Sequence, residues 1–225
     1  MGRVVLVTGG SRGIGRATAA AFARLGDTVV IASRSGESPD GHPCVPMDVA
    51  DSESVETAFA SIEERFGPVE VLVANAGITR DTLLIRMSED DVDAVLQTNL
   101  AGAIRCMRRS LRGMIKARGG RIVLVGSVVW GLGSAGQVNY AAAKAGLVGA
   151  ARSLAREVGG RGITVNVVAP GFVDTEMTEG LPEERKREIL GQVPLARYAT
   201  PDEIAATIVF VAGADAGYIT GAVIP

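Results

Sequence analysis

Short runs of β-branched and aliphatic residues alternate with longer helical stretches along the whole chain, and that alternation restricts the fold more than any other feature. Val4–Val7, Thr28–Ala32, Cys44–Val45, Val69–Ala74, Arg121–Val125, Ile163–Val168 and Ala222–Ile224 read as strands. Between them Ile14–Leu25, Ser52–Phe66, Ser88–Arg118, Val138–Val158, Pro182–Leu190 and Pro201–Ala212 read as helices, the third bent near Gly102. Ser52 is the expected N-cap of the second helix, and Pro182 and Pro201 stand where a helix loses nothing by a missing N–H. Strand, helix, strand, repeated without a linker or a tandem repeat, implies right-handed crossovers and a doubly wound parallel α/β sheet. The 225 residues suit one such domain, 1–225, with ligands at the C-terminal ends of the strands.

Composition excludes several functions. The net charge is −2 and no basic block occurs, so neither nucleic acid nor an anionic membrane is an expected partner. No apolar run reaches the roughly 18 residues that span a bilayer, and the apolar stretch ending at Val7 is too short for a signal peptide. A soluble, cytoplasmic protein is expected. Cys44 and Cys106 lack the spacing of a metal site or a disulfide framework and read as reduced thiols. His42 is the only histidine, which argues against a His/Cys zinc site and a Ser-His-Asp triad; no metal is expected.

The first strand runs into Thr8-Gly9-Gly10-Ser11-Arg12-Gly13-Ile14-Gly15. Glycines here let the backbone turn sharply and approach a pyrophosphate, and the next helix offers it free N–H groups and a partial positive charge. Gly9, Ser11, Arg12, Gly13, Ile14 and Gly15 are the expected cradle of a Rossmann-like dinucleotide site; a merely structural turn is the alternative. After the second strand comes Ile31-Ala32-Ser33-Arg34-Ser35, with no carboxylate where an NAD site usually carries one. Arg34 and Arg12 can donate to a 2′-phosphate, so NADPH is the expected coenzyme; both can also be ordinary surface charges. Asp48, with Val49, follows the third strand, where it can accept from an adenine amino group or simply lead the next helix. Asn75-Ala76-Gly77 ends the fourth strand, where small residues suit either a close-lying cofactor or a plain turn.

The fifth strand ends at Gly126-Ser127; Tyr140 follows 13 positions later and Lys144 four after that. Tyr140 and Lys144 share one helix face, so an ammonium beside the phenol is expected to lower its pKa toward working pH. Tyr140 then protonates a carbonyl oxygen as hydride reaches the carbon, and Ser127 polarises and positions that oxygen. The competing reading is a helix-face tyrosine beside a snorkelling lysine.

Over nearly its whole length the chain resembles a short-chain dehydrogenase/reductase. The resemblance rests on Thr8-Gly9-x-x-x-Gly13-Ile14-Gly15, Asp48, Asn75-Ala76-Gly77, Asn99, Ser127, Tyr140-x-x-x-Lys144, Asn166 and Pro170-Gly171-x-Val173-x-Thr175. It implies that Asn99 bends its helix and holds a water relaying protons to Lys144, which also binds the nicotinamide ribose. It further implies that Pro170, Gly171, the Val173 backbone and Thr175 hold the carboxamide or phosphates of the coenzyme. Within the family the chain is most similar to the 3-oxoacyl-[acyl-carrier-protein] reductases, through Ser11–Gly15, Ile163–Gly171 and Tyr218–Gly221. Val69–Val73, the Trp130 loop and Gly221–Pro225 resemble their mycolate-type branch. The implied reaction is NADPH-dependent reduction of a 3-oxoacyl thioester to the (3R)-3-hydroxyacyl thioester in fatty acid biosynthesis. The same residues would serve another carbonyl, such as acetoacetyl-CoA, a polyketide, a sugar or a quinone; an inactive NADPH-bound regulator would instead show a broken catalytic set. The sequence departs from the pattern after Pro225, where its likenesses continue into a short Val-Asp-Gly-Gly tail.

The stretch 172–196, with Gly180 and Gly191 as hinges, reads as a lid lined by Met177, Leu181, Ile189 and Leu190, or as ordinary amphipathic packing. An acyl carrier protein is acidic, and Arg118 and Arg161 match positions that dock it in the resembling reductases. Each also sits near a helix C-terminus, where a cation is favourable without any partner. Ala142, Ala145, Gly146, Gly149 and Ala150 form a small-residue helix face; by resemblance it joins a four-helix bundle between subunits of a homotetramer.

Overall fold

The computed structural model describes residues 2–176 and 183–225. Strand β1 (Val4–Thr8) turns Val4 and Leu6 to one side and Val5 and Val7 to the other, as a period of two requires, and all four are buried. The same division recurs in β4 (Val71–Ala74) and β5 (Gly120–Val125), where Leu72, Ile122 and Leu124 oppose Val71, Val73 and Val123. Strands apolar on both faces need a helical layer on each. On one side α2 (Ser52–Phe66), α4 (Gly102–Ala117) and α6 (Val138–Val158) bring Phe59, Ile62, Met114 and Leu147; on the other α1 (Gly13–Arg24) and α8 (Pro201–Val211) bring Phe22, Ile208 and Val211.

With β2 (Thr28–Ser33), β3 (Cys44–Pro46), β6 (Ile163–Val168) and β7 (Val223–Ile224), the sheet has seven parallel strands in the order β3-β2-β1-β4-β5-β6-β7. This is the expected doubly wound, Rossmann-like α/β fold. The chain winds outward from β1 to β3 and then back past β1 to β4, so a crevice opens at the C-terminal ends of β1 and β4. No helix among the described residues is long and apolar enough to cross a membrane. Cys44 and Cys106 are both free.

The structure corrects one local expectation. The N-cap of α2 is Asp51, not Ser52: its two carboxylate oxygens accept from the Glu53 and Ser54 N–H groups, both at 3.1 Å. A carboxylate satisfies two orphan donors at once and adds negative charge at the positive end of the helix. Ser52 is the first helical residue, and its hydroxyl accepts from Arg105 Nε at 3.1 Å. The stretch from Glu89 to Ala117 is helical throughout, as expected, with a π-helical turn just before Gly102. A capping box between Ser88 and Asp91 starts α3 (Glu89–Leu96), a π-helical turn follows at Gln97–Ala101, and α4 begins at Gly102. Gly102 is there because a Cβ would lie 2.8 Å from Val49 Cγ2. The expected helix over 182–190 is α7 (Glu183–Gln192); Pro182 lies outside the described residues.

Candidate active site

Three helices end their first turns with a side-chain cap, but α1 does not. Arg12 occupies its N-cap in an extended conformation with no capping hydrogen bond, and the first turn holds no acidic residue. Asp51, Ser88 and Thr200 cap α2, α3 and α8. The amide groups at the head of α1 therefore open onto the glycine-rich turn, with the positive end of the helix behind them. The turn is built to bring backbone close. Gly9 and Gly13 have φ of 63° and 51°, and a Cβ on Gly15 would sit 2.3 Å from the Gly9 carbonyl oxygen.

Asn75, at the end of β4, ties the turn down. Its Nδ2 donates to the carbonyls of Thr8 and Gly9, both at 3.0 Å. Thr8, to which the sequence reading gave no individual role, accepts through its buried hydroxyl from the N–H groups of Asn75 and Ala76, each at 3.0 Å. Ala76 and Gly77 are small because neighbours press on them. A Cβ on Gly9 would come 3.0 Å from Ala76 Cα, and one on Gly77 3.2 Å from Asn99 Oδ1. The segment after β6 reaches the same turn: Thr175 Cγ2 lies 3.4 Å from where a Gly13 Cβ would be, and Val173 is bridged to Ala199. Between Ser11 and the loop after β2 lies a cleft of about 490 Å³, lined by Ser11, Ser35, Glu37, Ser38 and Pro39. Arg12 and Arg34 are exposed and have no side-chain partner among the described residues. Ile14 is half-buried and packs against the face that carries α1 and α8.

Asp48 and Val49 are engaged locally. Asp48 Oδ1 accepts from the Ala50 N–H at 2.9 Å, a turn that leads into α2, and its carboxylate is exposed. Val49 turns its side chain under Gly102 and gives its carbonyl to Arg105 at 3.3 Å.

At the end of β5 the chemical residues come together. Ser127 lies near enough to the Tyr140 hydroxyl to lower its pKa, and its Oγ accepts from the Val129 N–H, at the start of α5 (Val129–Leu132), at 3.3 Å. Lys144 Nζ lies 5.4 Å from the centre of the Tyr140 ring and donates to the Val125 carbonyl at 2.8 Å. The Ser127 loop is anchored on both sides: Gly126 N–H to Val168 O at 2.7 Å, and Val128 N–H to Pro170 O at 2.9 Å. Pro170 and Gly171 thus begin the segment that ends at Thr175, linking the two halves of the site.

The expected lowering of the Tyr140 pKa does not occur. Burial pushes the phenol up to about 12, against a smaller downward effect of Ser127, and the charge of Asp81 raises it further. Burial also pulls Lys144 down to about 8, because an ammonium enclosed by protein loses its hydration. Tyr140 is therefore held as the protonated phenol.

Asn99 lies inside the π-helical turn, and its buried side chain makes one bond through each amide atom. Oδ1 accepts from the Ile78 N–H at 2.8 Å and Nδ2 donates to the Ile78 carbonyl at 2.9 Å. Two further residues carry no signal strong enough to find in sequence. Buried Asn139 accepts from the Tyr140 N–H at 2.8 Å and donates to the Arg80 and Asp91 carbonyls. Asp81 accepts from Gln137 Nε2 at 2.8 Å, next to a Thr82 N–H to Gly136 carbonyl bond of 2.9 Å. Together they clasp the loop after β4 to the start of α6.

Arg118 and Arg161 are both exposed and close together, since a Cβ on Gly162 would meet the Arg118 carbonyl at 2.9 Å. They precede β5 and β6, however, and so lie at the opposite end of the sheet from Ser127, Tyr140 and Lys144. Of the expected lid, Met177, Gly180 and Leu181 lie outside the described residues; Ile189 is buried and Leu190 half-buried.

The amino-acid sequence matches known proteins. Residues 9–225 match the family model described as enoyl-(acyl carrier protein) reductase. The chain is 50% identical to the 3-oxoacyl-[acyl-carrier-protein] reductase MabA of Mycobacterium avium, over 99% of this chain and 88% of that protein. It is 48% identical to the FabG reductase of the same description from Vibrio cholerae, over 98% of this chain and 93% of the relative. MabA of Mycobacterium tuberculosis is also 48% identical, over 99% and 90%. The chain belongs to the short-chain dehydrogenase/reductase family, in the group that this model and these acyl-carrier-protein reductases define.

Proposed function

We propose that the protein is an NADPH-dependent 3-oxoacyl-[acyl-carrier-protein] reductase that makes the (3R)-3-hydroxyacyl thioester in fatty acid biosynthesis. The observation that carries this reading is the gathering of Ser127, Tyr140 and buried Lys144 at the strand ends, next to an uncapped helix N-terminus. The names of relatives at 48–50% identity support the substrate class.

The glycine turn, the head of α1 and Thr175 form a cradle that fits a dinucleotide pyrophosphate, and a 2′-phosphate would sit in the cleft lined by Ser11, Ser35, Glu37, Ser38 and Pro39, with Arg12 and Arg34 next to it in sequence. Bound there, NADPH supplies the hydride. Ser127 holds the substrate carbonyl oxygen by its hydroxyl, and Tyr140, kept protonated by burial, gives that oxygen its proton. The Lys144 ammonium stabilises the phenolate left behind and binds the nicotinamide ribose. The Asn99 side chain fixes Ile78 and the π turn through one bond at each amide atom, and the N–H and lone pair it keeps can hold the water that relays protons to Lys144. Asp48 and the Val49 backbone border the adenine end. A cytoplasmic homotetramer is part of the proposal, with Ala142, Ala145 and Gly149 exposed on α6 as the close-approach surface.

Initial rates of NADPH and NADH oxidation, with acetoacetyl-CoA and a long-chain 3-oxoacyl-carrier thioester, test this. The expected result is faster turnover with NADPH and with the carrier thioester, and loss of at least about a thousandfold in Tyr140→Phe with coenzyme binding retained. Full turnover by Tyr140→Phe sinks the mechanism. Turnover of another carbonyl in preference to either thioester sinks the substrate.

A further inference from the structure

The cleft assigned above to a 2′-phosphate contains a carboxylate that the phosphate would have to face. Ser11, Ser35, Ser38 and Pro39 are neutral; Glu37 is the charged member of the lining. Its place is fixed by the strands rather than by a free loop. The Glu37 carbonyl accepts from Ser33 Oγ and Cys44 Sγ, both at 3.4 Å, and its N–H donates to Ser35 Oγ at 3.3 Å. Gly36, with φ of 70°, makes the bend; its N–H donates to the Ser33 carbonyl at 3.3 Å and to Ser33 Oγ at 3.2 Å. The side chain is exposed, and its carboxylate has no ion-pair or hydrogen-bond partner among the described residues. Arg16, a cation of the neighbouring α1 surface, is taken by Asp40 through two bonds of 2.6 Å. Arg34, next in sequence to Ser35 of the lining, would therefore meet an anion there in company with an uncompensated Glu37. The cleft also holds an unmet hydroxyl: Ser38 Oγ is buried without a partner.

We propose that Glu37 is a coenzyme-specificity determinant that restrains NADPH: its carboxylate opposes the 2′-phosphate that Arg34 attracts, and leaves a 2′-hydroxyl unopposed. The proposal rests on the coenzyme site described under the preceding heading. A 2′-phosphate carries close to two negative charges at neutral pH. Across an open cleft, within a Debye length, a carboxylate weakens its binding by about three- to tenfold, and added salt erodes the effect.

The test is equilibrium titration of the full chain with NADPH and with NADH, read by nucleotide fluorescence without any carbonyl substrate. NADPH is expected to bind about three- to tenfold more tightly to Glu37→Gln than to the parent, and more tightly still to Glu37→Lys. NADH should bind all three within about twofold, and the NADPH gain should shrink at 0.5 M salt. Equal NADPH affinity for the parent and Glu37→Gln overturns the proposal, as does an equal gain for both coenzymes. Arg34→Ala, titrated in parallel, separates this from the coenzyme reading. A loss of NADPH affinity there, with no response at Glu37, overturns the Glu37 proposal alone. No loss at Arg34 overturns both.

Discussion

Lys144 and Tyr140 have their charge states set by enclosure more than by each other. Lys144 is fully buried with a pKa near 8, and Tyr140 is pushed to about 12. Reduction needs the lysine charged and the phenol protonated. The ammonium is complete below about 8 and is lost as pH rises through that value, whereas the phenol stays protonated well beyond it. With NADPH as the varied substrate, kcat/KM reads the ionisations of the free enzyme, so it should be level below pH 8 and fall about tenfold per unit above. A profile level to pH 10 would contradict the assignment to Lys144. That the two residues share a helix face follows from a spacing of four. The direction of the tyrosine shift does not, because burial is contributed by residues far away in sequence. Asn99 is a similar case: its position in the motif is visible, but that its amide closes on Ile78 appears only when the loop after β4 lies against the π turn.

Elements follow the sequence closely in their middles and less so at their ends. α6 and β6 have the expected bounds, Val138–Val158 and Ile163–Val168, because apolar periodicity defines a segment over many residues. Caps depend on single side chains, and Asp51 rather than Ser52 caps α2 because a carboxylate takes both orphan N–H groups. Asp51→Ala should cost about 1 kcal/mol in chemical denaturation and leave NADPH affinity unchanged. Gly15→Ala should do both kinds of damage. Its Cβ would meet the Gly9 carbonyl at 2.3 Å and Asn75 Nδ2 at 2.6 Å, so the turn must move. A loss of about 1–3 kcal/mol in stability, with NADPH binding at least about tenfold weaker by fluorescence titration, is expected. Wild-type affinity in that variant would mean the turn is not the pyrophosphate cradle.

For the whole molecule, the largest departure from expectation is the distance of Arg118 and Arg161 from Ser127, Tyr140 and Lys144. They flank the N-terminal ends of β5 and β6, about 20 Å of strand away from Ser127. A carrier docked on this pair serves Ser127 only through an arm of that length, or serves the site of a neighbouring copy in the proposed tetramer. Arg118→Glu with Arg161→Glu should raise KM for a carrier thioester at least about tenfold and leave that for acetoacetyl-CoA unchanged; equal effects on both would place the pair outside carrier docking. The sequence by itself determined the parallel α/β class, the glycine turn and the Ser127, Tyr140, Lys144 set, because each is written in spacings along one or two elements. Only the tertiary structure decided which protonation state Tyr140 holds, which end of the sheet the arginines occupy and which carboxylate lines the cleft beside Ser11. Burial, strand direction and cross-loop approach are sums over residues distant in the chain, and no local pattern contains them.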